Sequence, residues 1–150
     1  NTIMSTPISH SVVINRPLED VFAFVTDFRN DKKWWKPVTY SEMVTSGEFG
    51  VGSEFIQHAK VMFVPVQNRL RVLEISAPNW VRYRNESNQL AYDLMYKFEA
   101  VDGGTRFSHD VQLEMKGVLG IFKPLTMWFL NREQRKYFGL LKQVLESEAA

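Results

Sequence analysis

The sequence predicts an α+β fold: a curved seven-stranded antiparallel sheet wrapped around one long C-terminal helix, with two short helices after the first strand. Three observations predict it. A strand-like alternation from Ile8 runs straight into helical spacing that starts at a proline. A series of alternating segments separated by short turn signals follows. From about Val118 the apolar period lengthens from two residues to between three and four. Sequential hairpins make the sheet antiparallel, and its apolar face requires the long helix as cover.

Ile8, His10, Val12 and Ile14 alternate with Ser9, Ser11, Val13 and Asn15, which reads as a half-buried strand. Asn15 is placed to cap the next helix and Pro17 suits its first turn. Leu18, Val21, Phe22 and Val25 then recur at helical spacing. Polar Asp27 to Asp31 breaks the pattern, a second short helix is expected to carry Trp34 and Trp35, and Pro37 stops it. Val38 to Thr45, Ser53 to Phe63, Val66 to Ile75, Trp80 to Glu86, Leu90 to Val101 and Thr105 to Met115 read as the remaining strands. Turn signals stand at Ala77-Pro78-Asn79, Ser87-Asn88 and Asp102-Gly103-Gly104. In the last strand Phe107, Val111, Leu113 and Met115 share one parity, and Arg106, Ser108, Asp110, Gln112 and Glu114 the other. One face is therefore buried and the other wet. In the closing helix Met127, Leu130, Gln134, Phe138, Leu141 and Leu145 form the apolar face. A helix of about 25 residues is roughly 38 Å long and strands of 10 to 12 residues reach roughly 35 Å. A curved sheet gripping so long a helix tends not to close completely, so a cavity is expected between them.

Composition bounds the function. At 150 residues the chain fits one domain with a real core, expected over residues 8–150 after a disordered tail or remnant over residues 1–7. Met4 is a candidate start. A net charge of +1 gives no global attraction to nucleic acid or anionic lipid. With no cysteine, thiolate catalysis and Cys-ligated zinc are excluded. No run reaches the roughly 18 apolar residues of a membrane span, and NTIMSTP has neither the basic region nor the apolar core of a secretory signal. The expectation is a cytoplasmic protein without stable membrane insertion.

The stretches VVINRPLEDVFAFVTDFRNDKKW, EFGVGSEF and VLEISAPNWVRYR are followed by YKFEAVDGGTRFSHDVQLEMKG and a closing RKYFGLLKQVLE. In this order and spacing the chain resembles the helix-grip superfamily (SRPBCC, START-like). That superfamily includes the major birch-pollen allergen, START lipid-transfer domains and bacterial polyketide cyclases/dehydrases, and the last resemble this chain most. The resemblance covers essentially the whole chain. It implies a cavity for an apolar ligand under the C-terminal helix, with Trp34, Trp35 and Tyr40 near one entrance. It does not imply any one activity.

His109 shares the inward parity of Phe107, Val111 and Leu113. A cavity histidine is either a general acid or base near neutral pH, or a buried neutral imidazole bonded to a neighbour. Tyr92, Leu94, Tyr96 and Phe98 form the apolar row of the preceding strand, beside His109 across the hairpin. Their hydroxyls can hold or polarise a ligand carbonyl, or the rings simply fill core. Phe55 and Gln57 form an inward row that leaves His58 outside. Met127, Leu130 and Gln134 approach the cavity from the helix.

The Gly47-Glu48-Phe49-Gly50-Val51-Gly52 loop lacks the Lys-Ser/Thr end and following helix of a phosphate loop. His10, His58 and His109 have no metal-ligand spacing, so neither metal nor cofactor is expected. Arg69, Arg71, Arg82 and Arg84 read as a solvated sheet face, not a nucleic-acid surface. Val118 to Leu130 is apolar on several sides, which suits cavity cover together with a homodimer contact.

Three functions remain open. The first is binding of a small hydrophobic molecule, polyketide-, lipid- or aromatic-like. The second is a polyketide cyclase/dehydratase in which His109 moves a proton and Tyr92 or Tyr96 stabilises an enolate. The third is an interaction module using the apolar start of the closing helix.

Overall fold

A computed structural model describes residues 6–148. Strand β1 (Thr6–Ile14) leads into helix α1 (Leu18–Thr26) and a 3-10 turn (Phe28–Lys33). Six strands follow: β2 (Tyr40–Met43), β3 (Glu54–Val61), β4 (Val64–Ser76), β5 (Trp80–Ser87), β6 (Leu90–Val101) and β7 (Gly104–Met115). Helices α2 (Gly117–Ile121) and α3 (Lys123–Ser147) close the chain. The tail expected over residues 1–7 falls on positions 1–5 outside the described residues, and Thr6 and Pro7 already belong to β1.

All seven strands form one antiparallel sheet in the order β1-β7-β6-β5-β4-β3-β2. Among the described residues only β1 and β7 pair across a long stretch of sequence, which brings the N-terminal strand beside the last one with His10 opposite His109. A bulge between Val72 and Glu74 shifts the β4–β5 register and bends the sheet. Alternation decides which face turns inward. Leu94, Tyr96 and Phe98 on β6, and Phe107, His109, Val111 and Leu113 on β7, are all buried.

Helix α3 lies against the concave face and buries Thr126, Leu130, Gln134, Tyr137, Phe138, Leu141 and Leu145. It is tied to the end of β1: Arg16 Nη1 donates to the Leu145 carbonyl at 2.6 Å, and Lys142 Nζ to that of Val13 at 2.9 Å.

Several local expectations shift. Asn15 does not cap α1. Pro17 occupies the cap position, and the Asn15 backbone N–H donates to Glu146 Oε2 at 2.8 Å. The second short helix is a 3-10 turn that ends before the Trp pair. In it the Asp27 side chain accepts from the Arg29 N–H. The closing helix is broken at Phe122 into α2 and α3. The β3–β4 connection is a two-residue turn at Met62-Phe63 that carries no turn residue. Both residues adopt positive φ, at 49° and 69°.

Candidate functional site

Between the sheet and α3 lies a cavity of about 120 Å³. That is close to the engineered void of 150 Å³ that accepts benzene, and below the roughly 300 Å³ of a typical drug-sized pocket. Its apolar wall comes from Ile8, Phe28, Val61, Val66, Leu70, Leu94, Val111, Leu113 and Leu130, with Trp34, Trp35 and Phe129 beside them. The polar groups are Asp31, Gln57, Asn68, Tyr92, Tyr96, His109, Glu133 and Gln134, and exposed Lys60 adds a charge at its edge.

Of the residues expected to bind a ligand, Trp34, Trp35, Gln57, Tyr92, Leu94, Tyr96, His109, Val111, Leu130 and Gln134 line this cavity. Four do not. Tyr40 opens the edge strand β2 with its ring turned outward against His58 at 5.1 Å, because Ser41 takes the inward position and donates to the Phe28 carbonyl at 2.7 Å. Phe55 and Phe107 are fully buried but are spent on core packing. The Phe55 ring meets Phe28 at 5.1 Å, and Phe107 meets Phe98 and Phe138 at 5.2 Å each. Met127 is displaced because α3 turns Thr126 inward instead, where its hydroxyl donates to the carbonyls of Leu119 and Phe122 at 3.1 Å.

His109 is 5% exposed, with its ring 4.7 Å from Phe138. Its Nε2–H donates to Gln134 Oε1 at 3.0 Å, which leaves Nδ1 as the lone-pair nitrogen. Burial lowers its pKa to about 4, against the bond to Gln134, which favours the cation, while His10 disfavours it. The imidazole is therefore neutral at neutral pH. Burial above all pushes the phenols of Tyr92 and Tyr96 up, so both keep their O–H protons.

Asp31 was not among the residues the sequence singled out. It is buried inside the 3-10 turn and its Oδ2 accepts from Gln57 Nε2 at 2.8 Å. Its backbone carbonyl accepts from the N–H groups of Trp34 and Trp35 at 3.1 and 2.6 Å, which fixes the Trp pair to the same turn. Burial raises the Asp31 pKa well above the usual carboxylate range; the bond from Gln57 opposes this and the charge of Asp27 adds to it. The residue spacing held a signal: Phe28, Asp31 and Trp34 recur every three residues, the period at which 3-10 side chains eclipse. Asn68 was also missed. It sits on the inward row with Val66 and Leu70, and its Oδ1 accepts from Asn85 Nδ2 at 3.0 Å.

Elsewhere the Arg face is matched by acids. Arg69 meets Glu54 at 2.6 Å, Arg82 meets Glu74, and Arg84 meets Glu86, Asp93 and Glu114 at 3.0 to 3.5 Å. Among the described residues no cluster of three or more His, Asp or Glu side chains is arranged to hold a metal, and no helix is long and apolar enough to cross a membrane.

Comparison with known proteins gives a consistent picture. Residues 5–146 match the family model described as polyketide cyclase / dehydrase and lipid transport. The Zhui aromatase/cyclase from Streptomyces sp. R1128 superposes with a TM-score of 0.81 at 12% identity, covering 97% of this chain and 96% of that one. A START superfamily protein from Mycobacterium smegmatis gives 0.70 at 12% identity, over 92% and 98%. Ara h 8.0201 gives 0.69 at 16% identity, over 95% and 99%. At these identities the structures establish a shared fold. No curated protein matches the chain by sequence.

Proposed function

The chain belongs to the polyketide cyclase/dehydrase and lipid-transport family, and from that premise we propose that it binds a small, mostly hydrophobic molecule in the cavity between the sheet and α3. The observation that carries this reading is the apolar lining of an internal space of about 120 Å³. Burial of apolar surface stabilises such a complex by roughly 25 cal/mol per Å² before entropy losses. The volume supports a ligand of about one ring. A larger polyketide or acyl chain would require the surrounding side chains to yield. Tyr92, Tyr96, His109 and Gln134 set its orientation in this reading.

The cyclase/dehydratase reading draws support from Tyr92, Tyr96 and His109 meeting in one cavity. The state of His109 weighs against it. An imidazole with a pKa of about 4, its Nε2–H already committed to Gln134, is poorly matched to proton transfer near pH 7. A third reading rests on the exposed side chains of Val118, Ile121, Phe122, Leu125 and Trp128, which α2 and the start of α3 leave uncovered. Such a patch favours a protein contact, a second copy of this chain included.

The test is displacement of an environment-sensitive apolar dye, together with native mass spectrometry of protein from its own host. Saturable displacement by one-ring apolar compounds and a retained small ligand are expected. Absence of any apolar binding, with sedimentation showing a stable dimer, would favour the interaction reading. His109→Gln separates binder from enzyme. It is expected to keep ligand affinity within about tenfold, the worth of one neutral hydrogen bond, whereas loss of a general acid or base lowers turnover by roughly 10²–10⁴-fold.

A further inference from the structure

Asp31 is a buried acid, and among the described residues no cation pairs with it. Its Oδ2 accepts from Gln57, and its Oδ1 is buried without a hydrogen-bond partner. The titratable groups around the cavity do not supply a counter-charge. Asp27 begins the same turn, and Glu133 on α3 has Lys136 Nζ at 4.0 Å. Tyr83 on β5, and Tyr92 and Tyr96 on β6, present neutral phenols, and His109 on β7 is a neutral imidazole. Lys60 on β3 is exposed to solvent. An ionised carboxylate in this position would bear the full cost of burial, so the group takes up a proton. With Oδ2 accepting from Gln57, the proton belongs on Oδ1, where it is a donor without an acceptor.

Three residues on, in the next turn of chain, Trp34 Nε1 is also buried without a partner, and Trp34 lines the same cavity. Two buried donors left unmatched are a costly arrangement for a resting protein. A carbonyl oxygen has two lone pairs and can accept from both. A basic amine would satisfy an ionised Asp31 but leave the Trp34 N–H unanswered.

We propose that Asp31 and Trp34 form a two-donor seat for an acceptor oxygen, so that the cavity's ligand is a small aryl ketone or ester, not a pure hydrocarbon or an amine. This rests on the reading of the cavity as a ligand site. It gives the 3-10 turn a role in selecting the ligand by its oxygen, while the sheet and α3 select by size and apolarity.

The test uses three one-ring probes on the full chain: acetophenone, ethylbenzene and benzylamine. The preference for acetophenone over ethylbenzene is expected to fall by about tenfold in Asp31→Leu and in Trp34→Phe, and to survive largely in Asp31→Asn, which keeps a donor. The infrared carbonyl band of bound acetophenone is expected at lower frequency than in a hydrocarbon solvent. That measurement on the wild-type chain decides the matter even if Asp31→Leu does not fold. An unshifted band, or a benzylamine preference that disappears in Asp31→Asn, would overturn the seat. Equal binding of all probes by all variants would overturn it while leaving the cavity reading intact. Failure of the wild-type chain to bind any of the three would overturn both.

Discussion

His10 and His109 stand directly opposite each other on β1 and β7, with ring centroids 5.7 Å apart and planes crossed at 63°. Both are less basic than a free histidine. For each, burial is the larger cause, and for His109 the neighbouring His10 adds to it. Two imidazoles this close, with Phe138 packed against both, cannot both take a proton without leaving unpaired charge in the core.

The first prediction is a loss of stability on the acid side. The folded-state pKa of His109 lies at about 4, below the ordinary 6.5. The unfolded chain therefore binds the extra proton first. The His109 contribution is fully present above pH 6.5 and is lost as pH falls toward 4, amounting to about 3 kcal/mol for a shift of this size. His10 acts in the same direction. In urea unfolding at a series of pH values, His109→Gln is expected to flatten this acid limb. A variant with the same limb as the wild type would show that His109 is not the group responsible.

Asp31 has the opposite sign. Its folded-state pKa is raised, so its contribution is fully present below the unfolded value of 3.8 and is lost as pH rises through the folded one. Asp31→Asn keeps the shape and the reach to Gln57 but cannot ionise. It is expected to gain stability relative to the wild type as pH rises from 5 to 8, read as a growing difference in urea midpoint. A constant deficit across that range would show that the carboxylate is ionised and paired in the native protein.

The contrast between these two residues explains what the sequence disclosed. His109 was legible because strand parity is strict: on β7 every second side chain faces the core, and Phe107, Val111 and Leu113 mark that row. The helix face from Leu130 to Leu145 was legible for the same reason, through its own period. Asp31 was not, because FRNDKK is polar in composition and reads as solvated chain. Its burial comes from tertiary context: β2, β3 and the sheet close over one side of a 3-10 turn, and one acid in that run faces inward. The offset at the start of α3 has a similar origin. Thr126 and Met127 stand four and three residues before Leu130, so helical spacing admits either on the inward face, and Thr126 takes it because its hydroxyl is satisfied by the Leu119 and Phe122 carbonyls.

The turn at Met62-Phe63 defines a third prediction. A two-residue hairpin turn of type I′ needs positive φ at both positions, which suits Asn-Gly, and here two bulky side chains adopt it with Phe63 94% exposed. Left-handed backbone costs an ordinary residue roughly 1–2 kcal/mol, offset partly by the greater unfolded-state freedom of glycine. Replacing Met62→Asn together with Phe63→Gly is expected to stabilise the protein by about 1 kcal/mol. A higher urea midpoint at unchanged slope would confirm it. A lower midpoint would mean that the Met62 side chain, packed against the core, contributes more than the backbone costs.

The last prediction sets two glycines against each other. Gly104 opens β7 at the point where the end of β1 crosses it. A Cβ there would lie 2.0 Å from the Ile14 carbonyl oxygen and 2.9 Å from Asn15 Cα, both backbone atoms. They cannot swing away as a side chain would. The neighbouring Thr105 hydroxyl holds the same crossing by donating to the Arg16 carbonyl at 2.9 Å. Gly104→Ala must therefore push β1 off β7, and is expected to cost about 1–3 kcal/mol, the range for overpacking a tight contact. Gly139 lies within α3, where an added Cβ meets nothing within 4 Å. In a helix interior alanine is more favourable than glycine by roughly 0.8–1.0 kcal/mol, so Gly139→Ala is expected to stabilise. The two substitutions add the same methyl group and should move the urea midpoint in opposite directions. Because Gly104 sits beside the pairing of Ile14 with Thr105 on the strand pair that carries His10 and His109, displacement of β1 should also reach the cavity. Gly104→Ala is thus expected to weaken apolar dye binding while Gly139→Ala leaves it unchanged. A neutral Gly104→Ala would mean that the β1–β7 crossing is looser than the contact distances imply.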